Sequence, residues 1–399
     1  MDTKQLIEWS DKHLMAFAKR NPVALVRGEG ARVWDSEGKE YLDFTGGIAV
    51  TALGHSHPKV VGTMREQAAT LLHVSNLFHI PQQIHLAKLL CDHSFADRVF
   101  FSNSGAEANE TAIKLARKWA KEHGGSDRGD IITMRGGFHG RTLATVTATA
   151  QEKYHHGFEP LPAGFKYVPF NDLRAVERAI DSRTAAVLVE PIQGEGGVNI
   201  PDDSYLPGLR KLCDQAGILL ILDEIQTGMG RTGKLWAYEH TGVLPDIMTL
   251  AKALANGVPI GATLATDDVA SVFTPGTHGS TFGGNPFATA VGLTVFTTLI
   301  EERLVDRAAS AGRLLLERLA AVRAKHPGVV TAVRGKGLLV AMDVVPPVGN
   351  LVAACRERGL LVLTAGDNAL RLAPPLIVDD ASIGRGVEII DRALQDCRP

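Results

Sequence analysis

The chain has 399 residues, 45% hydrophobic and 22% charged, an ordinary globular composition with room for two or three domains. Its 42 Lys and Arg against 44 Asp and Glu leave no basic surplus, which argues against a nucleic-acid partner or an anionic membrane surface. The four cysteines (Cys91, Cys213, Cys355 and Cys397) form no C-x-x-C pair, no apolar run reaches membrane-spanning length, and the N-terminus carries acids instead of a signal-peptide core, so reduced thiols in a cytoplasmic protein are expected.

In chain order, Ala31–Trp34 and Tyr41–Phe44 read as a hairpin turning around Ser36-Glu37-Gly38. His55 and His57 follow in a Gly/Pro loop with no third ligand in the stretch, so no metal is expected there. Val99–Ser102 is a strand, and Ser102-Asn103-Ser104-Gly105-Ala106-Glu107 joins it to a helix over Glu107–Glu122. Ser104 and Glu107 fit a capping box. The N–H groups of Gly105 and Ala106 suit a phosphate, although a capped helix that binds nothing has the same residues. The strand Asp130–Met134 runs into Gly136-Gly137-Phe138-His139-Gly140-Arg141-Thr142. There the glycines let the backbone approach a ligand, Phe138 suits a flat ring, and Arg141 suits a carboxylate. An ordinary flexible loop fits equally well.

The strand Ala185–Glu190 runs into a second glycine-rich loop, Pro191–Gly197, and a helix is expected over Leu206–Gln215. Ile218–Asp223 is an apolar strand ending in a carboxylate. Beyond it, Gly228-Met229-Gly230-Arg231-Thr232-Gly233 is a literal G-x-G-x-x-G. Glu224-Ile225-Gln226-Thr227 separate it from its strand and no helix start follows, so a dinucleotide site is not expected. Ile247–Leu250 and Gly261–Ala265 are strands, the first closing on Lys252. Gly276–Pro286 is a small, polar loop whose Ser280 and Thr281 hydroxyls suit a phosphate or substrate, or simply solvent. Ala308–Lys325 is an amphipathic helix with Leu314, Leu315 and Leu319 on one face, and Gly337–Val344, Leu360–Leu363 and Leu370–Leu372 read as strands.

Alternating strands and helices imply an α/β architecture: a large domain over 46–290 with a mostly parallel sheet covered by helices. A smaller α+β C-terminal domain is expected over 291–399, with the N-terminal segment 1–45 packed against it. Two buried strands that end in charge are costly unless each charge has a partner or a task. In open α/β sheets, ligands bind outside the carboxyl ends of the strands. A lysine and an acid at two such ends match what pyridoxal phosphate needs, one bonding to its aldehyde and the other holding its ring nitrogen. A structural Asp–Lys pair fits the same two residues.

Taken in order, SNSGAEANE (102–110), GGFHGRT (136–142), EPIQGEGG (190–197), LDEIQTGMGRTG (222–233), LAKALANG (250–257) and THGSTFGGN (277–285) resemble the class III aminotransferases, enzymes of the pyridoxal-phosphate-dependent transferase fold type I. The resemblance runs from Tyr41 to Pro375. It implies that Lys252 bonds to the cofactor and moves the proton, Asp223 holds the ring nitrogen and Gln226 the ring hydroxyl. Phe138 would stack on the ring, and Gly105 and Ala106 would bind the phosphate together with Thr281 of a neighbouring subunit, so a homodimer with shared sites is expected. Arg141, with Ser280 nearby, would bind a distal carboxylate, Arg371 the α-carboxylate of glutamate, and Glu195 would shield Arg371 when an ω-amine is bound. FADRVFFSNSGAEANETAIKLARK (95–118) and PGTHGSTFGGNP (275–286) are most similar to the branch acting on N2-acetylornithine with 2-oxoglutarate, in arginine biosynthesis. Succinylornithine, succinyldiaminopimelate, 4-aminobutyrate and ornithine are the neighbouring substrates, and an aminomutase uses the same scaffold. Two departures stand out. The loop after Lys252, Ala253-Leu254-Ala255-Asn256-Gly257, lacks the glycine run frequent in relatives. No Tyr precedes Tyr41, whereas ornithine aminotransferases recognise the free amine with a Tyr in the N-terminal segment.

Overall fold

The computed structural model describes residues 2–345 and 347–396. Three strands form an antiparallel N-terminal sheet: β1 (Leu25–Glu29), β2 (Arg32–Asp35) and β3 (Glu40–Asp43). The turn between β2 and β3 is held by Asp35, which accepts the N–H groups of Glu37 and Lys39 and the hydroxyl of Tyr41.

Seven strands follow: β4 (Arg98–Ser102), β5 (Asp130–Met134), β6 (Phe165–Val168), β7 (Thr184–Val189), β8 (Leu219–Asp223), β9 (Ile247–Leu250) and β10 (Gly261–Ala265). They make one sheet in the order β4-β10-β9-β8-β7-β5-β6. Only β10 runs against its neighbours, so the sheet is mostly parallel, as expected. Every residue of β7, β8, β9 and β10 is buried. Strands covered on both faces read as nearly continuous apolar runs, which is why these four are visible in the sequence. Successive side chains serve opposite faces. Leu219 and Ile221 of β8 join Ala112, Ile113 and Ala116 of the helix Gly105–Gly124. Leu220 and Leu222 join a second core with Leu209 and Cys213 of the helix Tyr205–Ala216.

The C-terminal strands are β11 (Val330–Lys336), β12 (Leu339–Val344), β13 (Leu360–Leu361), β14 (Leu363–Ala365) and β15 (Ala369–Leu372). An antiparallel sheet has the order β11-β12-β15-β14, while β13 pairs in parallel with β3 and ties the N-terminal sheet to the C-terminal part of the chain. The strand expected over Leu360–Leu363 is thus two strands in two sheets. The chain changes partner at Val362, and four consecutive apolar residues carry no mark of such a change. The edge strand β6 and the strand β11 went unread, because their half-buried residues alternate too weakly to stand out. The helix Pro286–Glu301 starts at an Asn285 cap and carries buried Val291, Val295 and Phe296; the expected boundary at 290/291 falls inside it. Cys91 and Cys213 form no disulfide, Cys355 is buried, and Cys397 lies outside the described residues. No helix among the described residues is long and apolar enough to cross a membrane.

Candidate active site

The carboxyl ends of β5, β7, β8 and β9 open onto one edge of the large sheet, where ligands bind in this architecture. The loops that leave them enclose a cavity of about 380 Å³ lined by Gly105, Ala106, Phe138, Arg141, Glu190, Asp223, Gln226 and Lys252, among others.

Asp223 ends β8 and is buried. Its Oδ2 accepts hydrogen bonds from Asn109 Nδ2 at 2.7 Å and His139 Nδ1 at 2.8 Å, and its Oδ1 accepts the N–H of Ile225 at 3.1 Å. Asn109 is oriented in turn by the Thr249 hydroxyl of β9 at 2.8 Å. The carboxylate is therefore aimed by a helix, a loop and two strands. Burial pushes the His139 imidazole pKa down, but the bond and charge of Asp223 outweigh it, so the net shift is upward.

Lys252 follows β9 and lines the cavity at a left-handed φ of 36°, a backbone strain uncommon outside functional sites. It opens a short 3₁₀ turn, Lys252–Ala255, closed by left-handed Asn256. The Asn256 carboxamide accepts from the N–H of Leu53 at 2.8 Å and donates to the carbonyl of Gly54 at 2.9 Å. An anchored asparagine thus shapes the loop that lacks the glycine run. Burial pulls the Lys252 ammonium below its ordinary pKa, and nearby Glu195 opposes this.

At the cavity's other end, Ser104 Oγ caps the N–H of Glu107 at 3.2 Å, half of the expected capping box; Glu107 Oε2 reaches back to the N–H of Asn103 at 2.8 Å, one residue before the cap. Gly105 and Ala106, one step inside, have no intrahelical acceptor for their N–H groups. A Cβ on Gly105 would lie 2.8 Å from Ile225 Cδ1, so the cradle accepts little more than a bare backbone there. A phosphate end, a ring nitrogen and an aldehyde thus each meet a fitting group: the helix N-terminus, Asp223 and Lys252.

Glu190 at the end of β7 has the signature that singled out Asp223, a charge closing a buried strand, but it went unassigned. Its Oε2 accepts the N–H of Phe138 at 2.9 Å and its Oε1 that of Gly194 at 3.2 Å, joining the two glycine-rich loops. Burial pushes its pKa up to about 7. Asn109 and His139 were also unassigned; they lie in the quoted motifs, but their partners are distant in sequence.

Arg371 stands on β15 and is buried. Its Nη1 meets Glu195 Oε1 at 2.5 Å and Gln226 Oε1 at 3.3 Å. Burial pushes the Glu195 carboxyl up, but Arg371 and Lys252 hold it below the usual carboxylate range. Arg141 differs: it is exposed, with no hydrogen bond or ion pair among the described residues. Its guanidinium lies 3.9 Å from the Tyr154 ring centroid and 5.4 Å from that of Phe138.

Ser280 and Thr281 do not line the 380 Å³ cavity. The Ser280 hydroxyl accepts from Asn103 Nδ2 at 3.1 Å, beside the phosphate cradle. Thr281 is exposed in a separate cavity of about 1150 Å³, with Leu77 and Ile84. Elsewhere, His55 pairs with Asp43 at 2.8 Å and His57 precedes the helix Pro58–Thr70. The G-x-G-x-x-G stretch opens no helix. Its Arg231 is buried and donates to the carbonyls of Leu338 at 3.1 Å and Pro374 at 2.5 Å, bracing the segment that follows Arg371.

The chain is similar to known proteins over nearly its whole length. The acetylornithine aminotransferase of Caldanaerobacter subterraneus subsp. tengcongensis is 50% identical over 394 residues, covering 98% of this chain and 100% of that protein. Among solved structures, the ornithine aminotransferase of Toxoplasma gondii ME49 superposes with a TM-score of 0.96 at 35% identity, covering 100% of this chain and 97% of that one. The acetylornithine aminotransferase of Elizabethkingia anophelis does so with a TM-score of 0.89 at 37% identity, covering 99% and 100%. The family described as aminotransferase class-III matches residues 15–394. The chain belongs to the class III aminotransferases, pyridoxal-phosphate-dependent transaminases of the α/β fold type I.

Proposed function

We propose that this enzyme transfers the ω-amino group of N2-acetylornithine to 2-oxoglutarate, giving N-acetylglutamate 5-semialdehyde and glutamate, a step of arginine biosynthesis in the cytoplasm. The observation that carries the reading is the unequal state of two arginines, one locked by Glu195 and one free. Bound pyridoxal phosphate supplies an aldehyde that takes up the amino group and a ring that accepts the electrons of the broken C–H bond.

The chain's own residues do the rest. Lys252 would bond to the cofactor, and its Nζ would carry the proton from the carbon that bears the substrate's amine. Asp223, held by Asn109 and His139, would hold the ring nitrogen, and Gln226 the ring hydroxyl. Phe138 would stack on the ring, while the N–H groups of Gly105 and Ala106 would take the phosphate. Acetylornithine presents its ω-amine, so its carboxylate lies far from the reacting carbon, at Arg141 with Ser280 nearby. Glutamate presents its α-amine, so its α-carboxylate lies close, at Arg371, and Glu195 must turn away. Thr281 completes the phosphate site of a second copy, making a homodimer with shared sites. Its exposure beside Leu77, 82% exposed, and Phe282, 63% exposed, supports that reading, because contiguous apolar surface marks an interface. The division into an N-terminal segment, a cofactor-binding body and a smaller C-terminal unit belongs to the same proposal, supported by the pairing of β13 with β3.

Ornithine is the second reading, favoured by the TM-score of 0.96 to an ornithine aminotransferase. A panel of ω-amines at fixed 2-oxoglutarate separates the two: kcat/KM for acetylornithine should exceed that for ornithine, 4-aminobutyrate and the succinylated amines. A higher value for any of these overturns the substrate assignment, and turnover without an oxo-acid acceptor would reveal an aminomutase. Charge-assisted bidentate pairs are strong, on the order of 2–5 kcal/mol when one partner is removed. Arg371→Ala should therefore cripple the half-reaction with glutamate and largely spare that with acetylornithine, while Arg141→Ala harms both. Equal losses in both half-reactions for Arg371→Ala would overturn the division of labour.

A further inference from the structure

Arg141 presents a problem of its own. A flexible exposed arginine loses much side-chain freedom when it grips a carboxylate, and that loss weakens binding. An acidic neighbour could hold it in place, as Glu195 holds Arg371, but a carboxylate at Arg141 would compete with the substrate's. The structure shows a third solution. The guanidinium rests on the Tyr154 ring at 3.9 Å from its centroid. An aromatic face attracts a cation through its quadrupole and leaves the N–H edge of the guanidinium open.

Tyr154 is itself fixed to the loop that bears Arg141. It closes the 3₁₀ turn Glu152–Tyr154, and its N–H donates to the carbonyl of Gln151 at 3.0 Å. The Gln151 carboxamide donates to the carbonyl of Gly137 at 3.0 Å, beside Phe138. The Tyr154 and Phe138 rings meet edge to face, 6.1 Å apart at 84°, a favoured aromatic geometry. Phe138, Tyr154 and Arg141 thus form one braced unit running from the cofactor side of the cavity to its mouth. The Tyr154 hydroxyl makes no hydrogen bond among the described residues, so the ring is the functional part.

We propose that Tyr154 is a positioning residue for carboxylate recognition, holding the Arg141 guanidinium on its ring face with the N–H edge free. The inference rests on the reading in which Arg141 meets the distal carboxylate of the ω-amine substrate. Its test compares Tyr154→Phe, Tyr154→Leu and Tyr154→Met in the half-reaction of the holoenzyme, followed by the cofactor's absorbance change. The substrates are N2-acetylornithine and N-acetylputrescine, the same amine without its carboxylate. Tyr154→Leu and Tyr154→Met should raise the half-saturating concentration of acetylornithine on the order of three- to tenfold, with the limiting rate little changed. Tyr154→Phe should match the wild type, and acetylputrescine should respond equally in all four proteins. Equal impairment of the Phe and Leu variants overturns the proposal, as does the same rise for acetylputrescine. If the wild type takes both amines equally well, the reading of Arg141 falls and the proposal with it. If the wild type prefers acetylornithine and both apolar variants keep that preference in full, the proposal alone falls.

Discussion

Lys252 carries an ammonium into a place where burial disfavours its charge, and the sign of that effect is testable. A base whose folded pKa lies below its unfolded value, 10.5 for this lysine, binds its proton less readily in the folded state. Charging it therefore costs stability, and the cost grows as pH falls from the unfolded pKa toward the folded one, then stays constant. In the cofactor-free protein, Lys252→Met should raise Tm by a few degrees at pH 7–8. The gain should shrink as pH approaches 10. A gain that is absent at neutral pH, or that grows with alkalinity, contradicts the assigned shift. The same residue explains why part of the site was readable in the chain: a charge closing an apolar strand conflicts with burial, so Asp223 and Lys252 drew attention at once. Asn109, His139 and Tyr154 break no such rule. An asparagine in a helix or a tyrosine in a turn is unremarkable until folding sets it beside Asp223 or Arg141.

Among elements, one exacting contact is between the loop 136–142 and the N-terminus of the helix Gly105–Gly124. Gly140 adopts φ 136°, and a Cβ there would lie 2.6 Å from Thr145 Oγ1 and 2.8 Å from Ala106 Cβ. Gly140→Ala must either strain the loop, at about 1–3 kcal/mol for a disfavoured φ, or push Ala106 away from the phosphate position. Cofactor affinity, followed by fluorescence quenching, should fall about tenfold or more, and inorganic phosphate should protect the apo variant less against heat. Unchanged affinity would show that the contact does not set the cradle. The buried strands were legible because both faces are covered and nearly every residue is apolar. The split between β13 and β14 was not, because β13 is drawn off by β3, remote in sequence, while β14 turns straight into a hairpin with its neighbour β15.

For the molecule as a whole, the separation of Thr281 from its own chain's cavity bears on assembly. If each site borrows Thr281 from a second copy, mixing Lys252→Ala with Thr281→Ala subunits restores one complete site per heterodimer. With random exchange, half the dimers are mixed, so about a quarter of all sites should be intact. Activity should rise to that fraction of wild type once subunit exchange is confirmed by mass. No recovery above the parental variants would place Thr281 outside the partner's site.

Glu195 stands between the large sheet and the small one, and its backbone is stapled to the latter. Its carbonyl accepts the N–H of Gly366 at 2.9 Å, and Arg334 holds the carbonyls of Gly197 at 2.5 Å and Val198 at 3.0 Å. If Glu195 releases Arg371 for glutamate as proposed, the movement falls on its side-chain bonds, with the main chain held in place. Side-chain rotations are fast beside rigid-body closures, which take microseconds to milliseconds. On the proposed reading, the enzyme would alternate between two differently shaped substrates without reorganising its frame.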